Sequence, residues 1–275
     1  MSDALEPIRS FTISDQQYLL ADQYKNASNL NARIQLHERF STNTYDWYRW
    51  VFDQIKTRPR SRILELGCGP GRLWLNNFDR IPKDWQITLS DFSPGMLQEA
   101  QHNLQIVRHA FNFQVIDAQA IPFKEKSFDI VIANHMLYHV PDRDKALAEI
   151  RRVLTPKGRF YAATNGQAHL REIDDLIRRV EPTYAAHNTN RNTFNLESGL
   201  TQLSRWFSQV TVREMDDGLV VTEVEPLIAY ILSSPVKTVL VEEKLQALRE
   251  IVSQEIATHG AVHITKVIGI VEASR

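Results

Sequence analysis

The stretch Ile63-Leu64-Glu65-Leu66-Gly67-Cys68-Gly69-Pro70-Gly71 places three glycines two apart behind a short apolar run that contains one acid. Glycine adopts positive φ readily and has no Cβ to hold a ligand away from the backbone. The run reads as a buried strand, and the glycines as a tight turn into a helix that starts near Arg72. A ligand at such a turn rests at the carboxyl end of a parallel strand, where open α/β sheets bind cofactors. The dinucleotide fingerprint is G-x-G-x-x-G. Here the spacing is G-x-G-x-G, with Glu65 two residues before the first glycine.

Two further acids fall in register with that turn. Asp91 lies 20 residues beyond Gly71, at the end of Thr88-Leu89-Ser90-Asp91. A short carboxylate at the tip of the adjacent strand accepts bonds from both hydroxyls of a ribose; a solvated loop acid or a local cap is the other reading. Asp117 follows Gln114-Val115-Ile116 and precedes Ala118. His135 and His139 follow the apolar run 128–133 and Asn134. A histidine near its ordinary pKa can take a proton from a hydroxyl or a carbon acid. The same pair can also simply pack and bond the backbone. Arg33 and His37, four residues apart, share one helix face.

The ordered series resembles the class I S-adenosylmethionine (SAM) dependent methyltransferases of the small-molecule, ubiquinone/menaquinone methyltransferase-like kind (methyltransferase type 11). It consists of the glycine turn, Asp91, Asp117 and the segment 127–142, which continues through 146–154 to Thr155-Pro156-Lys157-Gly158. It covers 63–164, somewhat over a third of the chain. The resemblance implies SAM as cofactor and a small organic acceptor, and it is specific for the first only. It implies cofactor contacts at Glu65, Gly67, Gly69, Gly71, Asp91, Phe92, Met96, Asp117, Ala118 and Asn134. Asp117 would accept from the adenine amine, and the Ala118 N–H would meet a ring nitrogen. Phe92 and Met96 either sandwich the adenine or belong to the core. N-terminal helices often close the cleft in such enzymes, so Arg33 is read as a fork for the methionine carboxylate, or else as part of a solvated helix face. His135, and less so His139, is the candidate general base, and no metal is expected. A nicotinamide-dependent oxidoreductase and a SAM-binding protein without catalysis are the alternatives.

The elements that must position these groups alternate. Strands are expected at 62–66, 86–90, 111–116, 128–133 and 159–164, with helices at 72–78, 94–103 and 141–154, and Pro156-Lys157-Gly158 as a turn. Strands separated by helices imply right-handed crossovers and a mostly parallel sheet. Helices are expected from 28 and over 44–56 on the N-terminal side. On the C-terminal side, helices at 170–180, 197–207, 225–232 and 241–258 are expected with strands at 210–215 and 262–273. The fold class is therefore α/β, Rossmann-like, with a seven-stranded mostly parallel sheet whose last strand is antiparallel, plus a helical lid. The expected division is a lid over 1–57 and a cofactor domain over 58–275 with helical insertions at 165–205 and 222–260. Trp47 and Trp50 are expected in the core.

Composition narrows the partners. The 275 residues carry 32 basic and 33 acidic side chains, so no global basic field attracts a nucleic acid. Cys68 is the one cysteine, which excludes an intramolecular disulfide and fits a reducing compartment. No apolar leader and no membrane span is read, so a cytoplasmic location is expected. The oligomeric state is left open.

Overall fold

The computed structural model describes residues 28–184 and 193–275. The expectation of a mixed, partly ordered segment over 1–25 lies outside them. Seven strands form one sheet in the order β3-β2-β1-β4-β5-β7-β6. They are β1 (Arg62–Leu66), β2 (Gln86–Asp91), β3 (Phe111–Val115), β4 (Phe128–Asn134), β5 (Leu154–Asn165), β6 (Gln209–Val221) and β7 (Val262–Ser274). β1 to β5 pair in parallel, and β7 runs antiparallel to both β5 and β6. The antiparallel last strand and the mostly parallel sheet are as the sequence reading has them.

The helices are α1 (Ser28–Phe40), α2 (Trp47–Gln54), α3 (Arg72–Leu75), α4 (Pro94–Asn103), α5 (Arg143–Val153), α6 (Arg171–Val180), α7 (Leu196–Leu203), α8 (Val224–Leu232) and α9 (Glu242–His259). The start of α4 shows why sequence punctuation works locally. The Ser93 side chain accepts from the Met96 N–H, and Pro94 occupies the first turn, where a missing N–H costs nothing. One face of the sheet buries Leu64, Val131, Phe160 and Val271 with Leu147 and Ile150 of α5. The other buries Ile63, Ile87, Ile132 and Tyr161 with Val51 of α2 and Trp74 of α3. A third cluster joins Leu36 and Phe40 of α1 to Ile173 and Ile177 of α6, Ile228 and Ile231 of α8, Leu248 and Val252 of α9, and Leu219 and Ile264 of the β6–β7 pair. This helical layer stands over one end of the sheet.

Four of the differences from the sequence reading have a visible local cause. The turn Pro156-Lys157-Gly158 lies inside β5 as a bulge: Phe128 pairs with Leu154, and pairing resumes at Ile130 with Arg159. A Cβ on Gly158 would meet Leu154 Cδ2 at 2.9 Å and the Thr155 carbonyl at 3.0 Å, so the fold-back needs a glycine there. α3 stops at Leu75, because the Asn77 amide donates to the carbonyls of Leu73 (2.8 Å) and Tyr48 (3.0 Å). α2 starts at Trp47 rather than 44, with Asp46 as its N-cap. β6 continues to Val221 through Asp216-Asp217-Gly218, past the expected end at 215. Tertiary partners extend it. Asp217 pairs with Lys266 of β7, and its Oδ1 accepts from the Asn43 N–H at 3.0 Å.

Candidate functional site

The strand order reverses between β1 and β4, which opens a crevice at their carboxyl ends. A cavity of about 790 Å³ lies there, lined by the loops after β1 to β4 and by residues of α1, α6 and α8. Each motif from the sequence arrives at it because parallel strands deliver all their carboxyl ends to one edge.

The loop after β1 is the floor. Gly67, Gly69 and Gly71 have φ of 67°, 53° and 78°, the left-handed region. A Cβ at Gly67 would sit 2.8 Å from Met136 Cβ of the β4 loop, so the two loops close only over a glycine. Asp91 then ties the floor to the next loop. Its Oδ2 accepts from the Gly69 N–H at 2.9 Å, and its Oδ1 from the Ser93 N–H at 2.8 Å. Burial pushes the Asp91 carboxyl up, and backbone N–H groups of Ser93, Gly69 and Phe92 partly offset this. A carboxylate has about four acceptor sites, so the loop uses only part of its capacity. Asp91 is a half-buried tie, not an exposed loop acid.

Asp117 lines the same cavity with Ala118 and Ile116. Its oxygens are bonded by Gln119, at 2.9 Å from the backbone N–H and at 3.0 and 3.1 Å from the side-chain amide. Phe92 and Met96 also line it, and Met96 is 1% exposed, so its core and wall roles coincide.

Glu65 is buried beneath the glycines. Its Oε2 accepts from Trp74 Nε1 at 2.6 Å and its Oε1 from Asn134 Nδ2 at 3.2 Å. Burial pushes its carboxyl up to about 7, against the pull of those two donors. Glu65 and Asn134 thereby brace β1 against β4 at the cavity edge.

His135 holds φ 51°, a left-handed conformation that costs a non-glycine residue about 1–3 kcal/mol. Its backbone N–H donates to the Ala163 carbonyl at 2.9 Å. The ring lies 5.7 Å from that of Trp47, which is itself stacked on Trp50 at 5.4 Å. Burial and then the charge of Lys266 push the His135 imidazole down to about 4. It is therefore neutral near pH 7 but a weak base. His139 packs on Tyr138 with ring centres 4.5 Å apart and lines the cavity. Trp47 and Trp50, expected in the core, are partly buried and pack against it, and Trp47 also lines the cavity.

Arg33 reaches the cavity, but its guanidinium bonds Ser233 at the end of α8, Nε to Oγ at 3.0 Å and Nη2 to the carbonyl at 2.7 Å. It thus satisfies a helix C-terminus.

Sequence reasoning passed over a second group of lining residues: Tyr48, Arg72, His169, Asp217 and Lys266. Lys266 is 7% exposed, pairs with Asp217 and donates to Ser41 Oγ at 2.9 Å. His37 stacks on His169 at 6.1 Å, and burial followed by Lys266 pushes its imidazole down to about 3. These residues come from distant parts of the chain with no local motif. Only Arg72, directly after Gly71, had a positional signal. Among the described residues no group of three His, Cys, Asp or Glu is placed to hold a metal, and no helix is long and apolar enough to cross a membrane.

The chain is similar in sequence and in fold to known proteins. Residues 64–162 match the family described as methyltransferase domain. The chain is 32% identical over 143 residues to the ubiquinone/menaquinone biosynthesis C-methyltransferase UbiE of Shewanella halifaxensis, covering 50% of this chain and 55% of that one. It is 35% identical over 115 residues to the same enzyme of Geotalea daltonii, covering 41% and 49%. The chain thus spans about half the length of the curated relatives it matches. In fold it is similar to Haemonchus contortus phosphoethanolamine N-methyltransferase 2 in complex with S-adenosyl-L-methionine, at a TM-score of 0.59 and 17% identity over 94% of this chain and 59% of that one. It is also similar to the [4+2]-cyclase SpnF, at a TM-score of 0.59 and 18% identity over 98% and 99%.

Proposed function

Since residues 64–162 match the family described as methyltransferase domain, we propose that this chain binds SAM in the cavity at the ends of β1 to β4 and transfers a methyl group to a small organic acceptor. The observation that carries this reading is the convergence of the left-handed glycine loop, Asp91 and Asp117 on one cavity. That donor and acceptor set fits the group. The backbone of Gly67 and Gly69 gives close approach, Asp91 offers acceptor sites for ribose hydroxyls, and Asp117 with the Ala118 N–H suits an adenine edge. Phe92 and Met96 supply apolar walls.

Bound there, SAM supplies a methyl group already activated on a sulfonium. The residues of the chain have the tasks of orienting, excluding water and, where the acceptor requires it, removing a proton. Orientation alone supplies about 7–11 kcal/mol of such a barrier. α1, α6 and α8 cover the cavity with apolar groups such as Ile34, Ile173 and Ile231, and we read them as the lid. The lid combines part of the N-terminal segment with parts of the 165–205 and 222–260 insertions, of which 185–192 lie outside the described residues. His135 is suited to accept a hydrogen bond as a neutral ring. Its low basicity assigns it to positioning unless the acceptor is strongly acidic. The acceptor is a small molecule and not a nucleic acid, and the compartment is the cytoplasm, on the charge balance and the single cysteine.

Calorimetric titration with SAM and S-adenosylhomocysteine tests the first half, with NADH as the control for the oxidoreductase alternative. Heat of binding with SAM and none with NADH is expected; the reverse overturns the reading. SpnF, similar in fold over nearly its whole length, is a [4+2]-cyclase, so the second half needs turnover. Transfer of labelled methyl from SAM to a metabolite extract supports it. Tight SAM binding with no labelled product favours a binding protein.

A further inference from the structure

Under the helical layer the cavity wall holds a polar cluster distinct from the glycine loop, Asp91 and Asp117. Lys266 of β7, Asp217 of β6 and Ser41, just after α1, form a hydrogen-bonded triad there. All three, together with His37 of α1, lie outside the family-matched residues 64–162. Asp217 is saturated. Its Oδ1 accepts from the N–H groups of Asn43 at 3.0 Å and Gly218 at 2.8 Å. Its Oδ2 accepts from the Ser41 hydroxyl at 3.0 Å and from the Lys266 ammonium. A carboxylate has about four acceptor sites, and these donors fill them. Lys266 is not saturated. Its side chain is 4% exposed, and its ammonium carries N–H donors for a third partner besides two. Asp217 and Ser41 Oγ, the latter at 2.9 Å, take two of them, and the remaining one has no acceptor among the described residues. His37 shares this wall, and its buried Nδ1 has no hydrogen-bond partner among the described residues. The His37 ring stacks on His169 at 6.1 Å and meets Tyr230 edge-on at 5.9 Å, so packing fixes its orientation. Leu170, Ile173 and Ile231 add apolar surface beside it.

The unmet capacity of this wall is therefore a donor, and its charge points the same way. After burial, Lys266 is the next cause that pushes the His37 and His135 imidazoles down, and Asp217 opposes it more weakly at His37. The cavity thus meets the ammonium ahead of the carboxylate that balances it. We propose that Lys266 and His37 anchor the methyl acceptor by an uncharged oxygen, a hydroxyl or a carbonyl, which accepts the spare Lys266 N–H while an apolar acceptor body lies against the His37–His169 stack. This anchor rests on the methyltransferase reading above and gives its acceptor a head group. An ammonium head would stand against the Lys266 charge. A carboxylate head would bring a second buried anion beside Asp217, and both burial and the like charge disfavour its ionised form. A hydroxyl or a carbonyl satisfies the donor at neither cost, and a hydroxyl also has a proton to offer a neutral imidazole nitrogen. A molecule of the same shape without the oxygen leaves the buried donor unpaired, which is how such a wall discriminates.

The test uses probes with one body and different heads: benzyl alcohol, benzylamine, benzoate and toluene. Ligand-observed NMR titrations of the full chain, saturated with S-adenosylhomocysteine at neutral pH, give their dissociation constants. Benzyl alcohol should bind roughly five- to tenfold more tightly than toluene, the size of one net hydrogen bond, and more tightly than the amine or the benzoate. Lys266→Met alone strands Asp217, so it is combined with Asp217→Asn. This double variant should bind the alcohol and toluene alike. His37→Phe keeps a ring in the stack and should lose about two- to fivefold of the alcohol preference. Heat of binding with S-adenosylhomocysteine certifies the fold of each variant, and if the double variant does not fold, His37→Phe decides. No preference of the wild-type chain for the alcohol, or tighter binding of the amine or the benzoate, overturns the anchor. A preference that survives in the double variant overturns the role of Lys266, and one unchanged in His37→Phe overturns that of His37. A wild-type chain that takes up no S-adenosylhomocysteine overturns the cofactor reading instead, and the same probes on the unliganded chain still decide the anchor.

Discussion

At Asp91 one carboxylate serves the loop and the ligand together. Because Gly69 and Ser93 both donate to it, Asp91→Ala is expected to weaken SAM by about 1.5–3 kcal/mol and to destabilise the fold by about 1 kcal/mol or more. Calorimetry and thermal melting of the unliganded chain separate the two effects; an unaltered melting temperature would show that the loop stands without this tie. Glu65 makes a prediction in pH. Its folded carboxyl is raised from 4.5 to about 7, so its proton is held more tightly in the native state. The stability this gives is fully present below pH 4.5 and is lost as pH climbs through 7, a difference on the order of 3 kcal/mol. Glu65→Gln removes the titration. Unfolding free energies of the two proteins should diverge between pH 5 and pH 8, with the variant gaining on the wild type as pH rises. Parallel pH curves would show that Glu65 titrates normally.

Among the elements, β6 and β7 carry the least obvious burden. Their pair extends the sheet under the helical layer and holds the segment 41–43 through Asp217, whose side chain is 1% exposed. Lys266→Met leaves that acid buried and uncompensated, which costs about 3–5 kcal/mol. Adding Asp217→Asn should restore part of the loss, because the charge that needed a partner is gone. Urea denaturation of the single and double variants measures this; equal losses in both would mean that packing, not charge, dominates. The elements also show where the sequence reading falls short. Asp216-Asp217-Gly218 lies beyond the expected end of its strand at 215, and it becomes strand because β7 supplies thirteen residues of partner. Pro156-Lys157-Gly158 reads correctly as a break but is absorbed as a bulge.

Over the whole molecule, the cavity joins the sheet edge to a helical layer drawn from both ends of the chain. α1 meets α8 through Arg33 and Ser233, and the core cluster containing Leu36 and Phe40 spans five further elements. Ligand binding should therefore slow amide hydrogen exchange in 33–40 as well as in 67–71. S-adenosylhomocysteine at a hundredfold over its Kd should stabilise the chain by about 2.7 kcal/mol, with the same shift in the presence of a chelator. Protection confined to 67–71 would detach α1 from the site.

The local sequence determined the floor of this site. Glycines at 67, 69 and 71, the cap at Ser93 and the acids after β2 and β3 act within a few residues of themselves. Parallel strand topology alone then brings them to one edge. The tertiary structure decided the rest. It made Asp91 a tie between loops, turned Arg33 to α8, set Trp47 in the wall and drew Lys266 to Asp217 across the β6–β7 pair. It also lowered the basicity of His135, since burial among residues from three parts of the chain sets its pKa. Such properties depend on which distant groups share a low-dielectric space, and no spacing along one segment encodes that.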